Sequence, residues 1–107
     1  MNKKEGKMSK SYPNRLDAKP HVLVFVCPDP VQLADFYAQL LGGAVEEDPY
    51  GGVSVSGRGL GVDIAFQKDE CYERPVFLGV PGDQQPMLHL DIAVKNRAEA
   101  TDFALSL

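Results

Sequence analysis

The sequence has no tryptophan, only two cysteines and no long apolar run. A membrane-spanning helix needs roughly 18 consecutive apolar residues, and no segment approaches that length. Cys27 and Cys71 form no CxxC pair, so the sequence indicates neither a zinc ribbon nor a disulfide framework. The first residues contain no apolar stretch of the secretory type. These absences favour a cytoplasmic protein and argue against a membrane partner.

Basic residues are scarce beyond the N-terminal segment. Residues 1–20 hold six basic and two acidic side chains, which leaves five basic and thirteen acidic side chains for residues 21–107. An acidic body repels phosphate backbones, so we expect no nucleic-acid partner. Residues 1–20 lack periodicity and are predicted to be a basic, disordered tail.

The 107 residues are enough for one domain, and 44% of them are apolar. Residues 21–27 are largely β-branched and predict a buried strand. A helix should follow, with Asp29 as its N-cap, Pro30 at its first position and Gly42 at its end. Its apolar stripe consists of Leu33, Phe36, Tyr37, Leu40 and Leu41.

Three short strands are predicted next, at Ala44–Glu47, Val53–Ser56 and Val62–Gln67. In the last of these, the alternation should direct Val62, Ile64 and Phe66 under the helix. The opposite set (Asp63, Ala65 and Gln67) should face outward or into a cavity.

Shifting the chain by 67 residues aligns Val22–Leu40 with His89–Leu107, including the N-caps Asp29 and Asn96. The match predicts a second strand at Met87–Val94 and a second helix, although two generic strand-helix units could match by chance. The predicted fold is therefore α+β, a βαβββ module followed by an incomplete second βα unit. The first unit spans 21–69, the linker 70–86 and the partial second unit 87–107. Because one such unit leaves strand edges unpaired, we expect a homodimer.

Several of these segments resemble the vicinal oxygen chelate superfamily, in particular its small bacterial glyoxalase-like branch, which is related to bleomycin-resistance proteins. The resemblance is carried by the segments 27–30, 33–37, 40–42, 64–67 and 85–94. It implies paired βαβββ units whose sheets cup a cavity. In metal-using members, a first-strand ligand precedes the helix cap by seven residues. His89 fits that spacing, whereas Val22 occupies the equivalent position of the first unit and His21 lies one residue away.

The resemblance and the alternation together predict the site. We expect no bound metal and no other cofactor, with His89, Gln67 and His21 as weak metal candidates. His89 and Asp91 are candidate catalytic residues, as an imidazole oriented by a carboxylate. Alternatively, His89 is a hydrogen-bonded wall residue and Asp91 is solvated. The predicted ligand-binding residues are Val22, Val24, Val26, Asp63, Gln67 and His89.

Three functions remain open from the sequence. The first is metal-free binding of a small molecule. The second is a metal-dependent lyase, isomerase or dioxygenase whose site is completed by a partner chain or a longer C-terminus. The third is an inactive product truncated inside its second unit, for which neither Leu107 nor the start (Met1 or Met8) is settled.

Overall fold

The computed structural model describes residues 9–49, 51–57 and 61–107. In chain order, its elements are β1 (Val22–Cys27), α1 (Pro30–Leu41), β2 (Ala44–Glu47), β3 (Val53–Ser56), β4 (Asp63–Lys68) and α2 (Arg97–Ser106). The α+β fold and the βαβββ order of the first unit are therefore confirmed. β4 begins one residue later than expected, at Asp63.

The four strands form one sheet in the order β1-β4-β3-β2. β1 runs parallel to β4, while β3 is antiparallel to both β4 and β2. A parallel pair requires a crossover connection, and α1 lies within it. The order leaves β1 at one edge of the sheet and β2 at the other.

Helix α1 begins and ends where the sequence predicts. The Asp29 carboxylate accepts a hydrogen bond from the backbone N–H of Gln32 at 3.1 Å, and Pro30 occupies the first helical position. Gly42 ends the helix at φ 74°, which favours glycine. At Gly43, a side chain would collide with the backbone carbonyl of Ser56, so glycine allows β2 to start directly after the helix.

The core lies between α1 and one face of the sheet. An aromatic group fills its centre: the ring centroid of Phe66 is 5.9 Å from that of Phe25 and 5.7 Å from that of Tyr37. Ile64 and Phe66 are buried as predicted. The fully buried apolar set consists of Cys27, Ala34, Val53, Val55, Ile64 and Phe66.

The second half of the chain is only partly as predicted. The Asn96 carboxamide accepts from the backbone N–H of Glu99 at 3.0 Å, so α2 has the same cap geometry as α1. Residues 87–94, however, are not a strand, which corrects the prediction for Met87–Val94. A strand exists only where a neighbour completes its ladder, and these residues have none in the described part of the chain. The apolar stripe of α2 is also unpacked, with Phe103 48% exposed.

The N-terminal segment is described from residue 9 onward; the rest of the predicted tail lies outside the described residues. Residues 9–20 contain a turn closed by Asn14, whose side-chain oxygen accepts from the Ala18 N–H at 2.9 Å, and no helix or strand. Neither of the described helices is long and apolar enough to cross a bilayer.

Candidate ligand-binding site

The face of the sheet opposite α1 is uncovered in the described part of the chain, and we call it the open face. Leu23, Phe25 and Cys27 of β1 point toward the core. Because side chains alternate along a strand, Val22, Val24 and Val26 point to the open face. They are 38%, 47% and 49% exposed. These three valines are among the predicted ligand-binding residues, and that role stays a prediction.

The register of β1 with β4 fixes the neighbours of these valines. Val22 lies beside Asp63, and Val26 lies beside Gln67. Paired residues in a ladder share a face, so five of the six predicted ligand-binding residues lie together on the open face. Ser54 and Glu46 continue the face toward β2, in register with Ala65 of β4.

A groove of about 1190 Å³ runs along the outer edge of β1. Val24 and Val26 belong to both the groove and the open face, whereas Val22, Asp63 and Gln67 do not line the groove. Helix α1 forms one wall and segments of the linker form another. These wall residues are not among those predicted from the sequence, and they include Gln32, Asp35, Gln39, Tyr72, Arg74 and Gln85.

The wall residues on α1 could have been predicted from their helical spacing in the sequence. Asp35 and Gln39 are one helical turn apart, and the Gln39 amide donates to the Asp35 carboxylate at 2.7 Å. Together with Gln32 they form the side of α1 nearest the groove. The linker wall had no such signal, because its path depends on turns rather than on a periodic pattern.

His89 and Asp91 lie outside the groove, in the exposed segment before α2. The His89 Nε2 atom is 3.5 Å from the Asp91 Oδ1 atom, and their side chains are 83% and 92% exposed. The contact is compatible with an oriented imidazole, and the exposure is compatible with the solvated alternative. The catalytic assignment of the pair therefore stays a prediction.

Comparison with protein families identifies the fold. A family model described as the glyoxalase-like domain matches residues 22–107. The chain belongs to the glyoxalase-like family. Comparisons with curated proteins and with solved structures gave no match. The matched range includes all the strands and helices described above, so the open face and the groove both belong to the glyoxalase-like domain.

Many glyoxalase-like folds use metal, which requires three or four convergent donor side chains. Among the described residues, no three His, Cys, Asp or Glu side chains group closely enough to hold an ion. Val22 occupies the first-strand ligand position, and its neighbour His21 is exposed. Gln67 offers only an amide oxygen, a poor ligand for most first-row metals. These side chains do not make up a metal site by themselves.

The two thiols of the glyoxalase-like domain have different environments. The pKa of the Cys27 thiol is raised, mainly because the thiol is buried. A hydrogen bond from the Asp29 backbone N–H lowers this pKa, and the negative charge of the Asp29 carboxylate raises it. The Cys27 Sγ atom lies 3.8 Å from the carbonyl oxygen of Gln67. Cys27 is therefore a packed, protonated thiol at neutral pH, while Cys71 is exposed.

Proposed function

We propose that this glyoxalase-like domain binds a small molecule on the open face of its sheet, without metal. The observation that carries the proposal is the exposure of Val22, Val24 and Val26 on a strand that is otherwise buried against α1. Leaving an apolar strip in water is unfavourable, and such strips mark binding surfaces. The adjoining groove provides room for a ligand beside Val24 and Val26.

The polar groups beside the valines suggest the ligand's chemistry. Asp63 and Glu46 lie on the open face, and Gln67 adds one amide. Two carboxylates attract a cationic or hydrogen-bond-donating group and repel an anion. The ligand class that fits is a neutral or cationic molecule with an apolar body.

A second copy of the chain is proposed to pair with β1 along the outer edge of the sheet. β1 contains neither proline nor charge, so its own side chains do not prevent strand addition. At the opposite edge, β2 carries Glu46 and Glu47, whose charges disfavour pairing between copies. Association through β1 would join the apolar strips of the two copies.

The test is binding of a small library of neutral, cationic and anionic amphiphilic compounds, followed by amide chemical shifts in two-dimensional NMR. Shifts should concentrate on β1 and β4, and anionic compounds should be the weakest. The double variant Val24→Thr/Val26→Thr should weaken binding about tenfold, which corresponds to about 1.4 kcal/mol. Val31→Thr is the control, because Val31 is 53% exposed on α1.

Two results would overturn the proposal: shifts confined to residues outside β1 and β4, or equal losses of affinity in the double variant and the control. The chemical form of the recovered ligand separates the alternatives within the family. An unchanged ligand favours sequestration of the bleomycin-resistance type. Conversion that requires an added divalent ion favours the lyase, isomerase or dioxygenase alternative, with His89 as the first residue to substitute.

A further inference from the structure

The only two cysteines of the chain both line the groove beside β1. The first residue after β4, Asp69, donates its backbone N–H to the carbonyl oxygen of Cys27 at 3.1 Å. The chain then turns, because the Asp69 carbonyl accepts from the Tyr72 N–H at 3.2 Å and its carboxylate accepts from the Cys71 N–H at 2.9 Å. Cys71 is thus fixed two residues from a direct backbone contact with Cys27.

The direction of the linker brings Cys71 over the end of β1. β4 lies on the inner side of β1, whereas Tyr72 and Arg74 line the groove on its outer side together with Val26. Between Asp69 and Tyr72 the chain must therefore cross the C-terminal end of β1, where Cys27 is located. Cys71 lies in this crossing.

We propose that Cys27 and Cys71 form a reversible intramolecular disulfide that clamps the linker across the end of β1. Disulfide geometry requires Cα atoms about 4.4–6.8 Å apart, and the exposed turn at 69–72 allows the adjustment. This disulfide would fix the linker wall of the groove and the position at which the linker begins. This proposal is independent of the one on ligand binding.

The proposed oxidant is a low-molecular-weight disulfide such as oxidised glutathione. The exposed Cys71 thiolate attacks it, forming a mixed disulfide and releasing one glutathione thiolate. Cys27 then loses its proton and attacks the sulfur of Cys71, which releases the second glutathione. In total, two protein thiols are oxidised and one glutathione disulfide is reduced to two thiols. Because Cys27 is buried, the second step should be the slower one.

To test the proposal, the whole chain is incubated with oxidised glutathione and its remaining free thiols are then blocked. Its tryptic peptides are mapped without reduction. Trypsin does not cut before Pro20 or Pro75, so the two cysteines lie in peptides 16–58 and 69–95. We expect these peptides to be joined within one chain, with no covalent link to a second copy, and to separate on reduction. The melting temperature of the oxidised chain should rise by roughly 10–20 °C.

Two variants make the result specific. Cys71→Ser should abolish the joined peptides and the temperature shift while leaving the core intact. Cys71→Ser/Thr101→Cys moves the thiol to an exposed position on α2 and should not pair with Cys27. The proposal fails if Cys71 carries only glutathione while Cys27 remains a free thiol, if Cys71 links two chains instead, or if the Thr101→Cys thiol pairs equally well.

Discussion

At the scale of single residues, Phe66 is the position where burial matters most. Its side chain is 1% exposed and stacks on Phe25 and Tyr37. Phe66→Leu should therefore lower the free energy of unfolding by about 1–2 kcal/mol, since it removes stacked ring surface and leaves part of the site unfilled. Urea denaturation followed by circular dichroism measures this change.

The matched control for that prediction is Phe77→Leu. Phe77 is 80% exposed in the linker, so the same substitution should change stability by less than about 0.5 kcal/mol. Equal losses at the two positions would mean that the linker packs in solution or that the core differs from the one described.

The burial of individual residues was predictable where the two-residue period of a strand or the 3.6-residue period of a helix decides which face is buried. Ile64 and Phe66 were assigned to the core, and Asp63 and Gln67 to the other face, by alternation alone. The groove residues Tyr72 and Arg74 were not predictable. Their positions follow from the hydrogen-bonded turn at 69–72, a local geometry with no repeating signal.

At the scale of elements, the two helix caps offer a direct comparison, because each cap side chain accepts from the backbone three residues later. Asp29→Ala should lower the free energy of unfolding by about 1 kcal/mol, since α1 covers the core. Asn96→Ala should leave the unfolding midpoint unchanged and reduce only helical circular dichroism. α2 has ten residues and buries none of them, so its helicity depends on local interactions.

The expected difference between the caps is contradicted if Asp29→Ala and Asn96→Ala lower the unfolding midpoint equally. Such a result would show that α2 is packed against the sheet in solution. Asp29→Asn is the control at the first cap, since asparagine is a comparable N-cap and should retain the midpoint.

The helices and strands also show which parts of the fold could be predicted from the sequence. Both helices were predicted because caps and stripes are local signals, and the three strands after α1 were predicted to within one residue. The strand at Met87–Val94 failed for a different reason. An alternating pattern determines which side chains a strand would bury, but it does not provide the neighbour that a ladder requires.

At the scale of the whole molecule, the dimensions agree with an incompletely packed chain. The radius of gyration of the Cα atoms is 17.8 Å, whereas a compact domain of this length has about 13 Å. The first unit packs α1 against one side of a single sheet, and among the described residues nothing packs on the other side. An apolar sheet face is kept from water by a second layer packed against it, and the proposed ligand would cover part of this face, whereas pairing through β1 would complete the unpaired edge of the sheet.

The proposed dimer can be tested at the outer edge of β1. The Cys27 carbonyl points toward β4, where it accepts from Asp69; by alternation, the backbone groups of Val24 point outward. Val24→Pro therefore removes an outward N–H without removing a bond to β4, and it should weaken self-association at least tenfold, by about 1.4 kcal/mol. Sedimentation velocity over a range of concentrations measures this, with Val24→Thr as the control that keeps the N–H and the dimer. A wild-type chain that stays monomeric throughout, or a proline variant that associates as well as the threonine variant, would exclude pairing through β1.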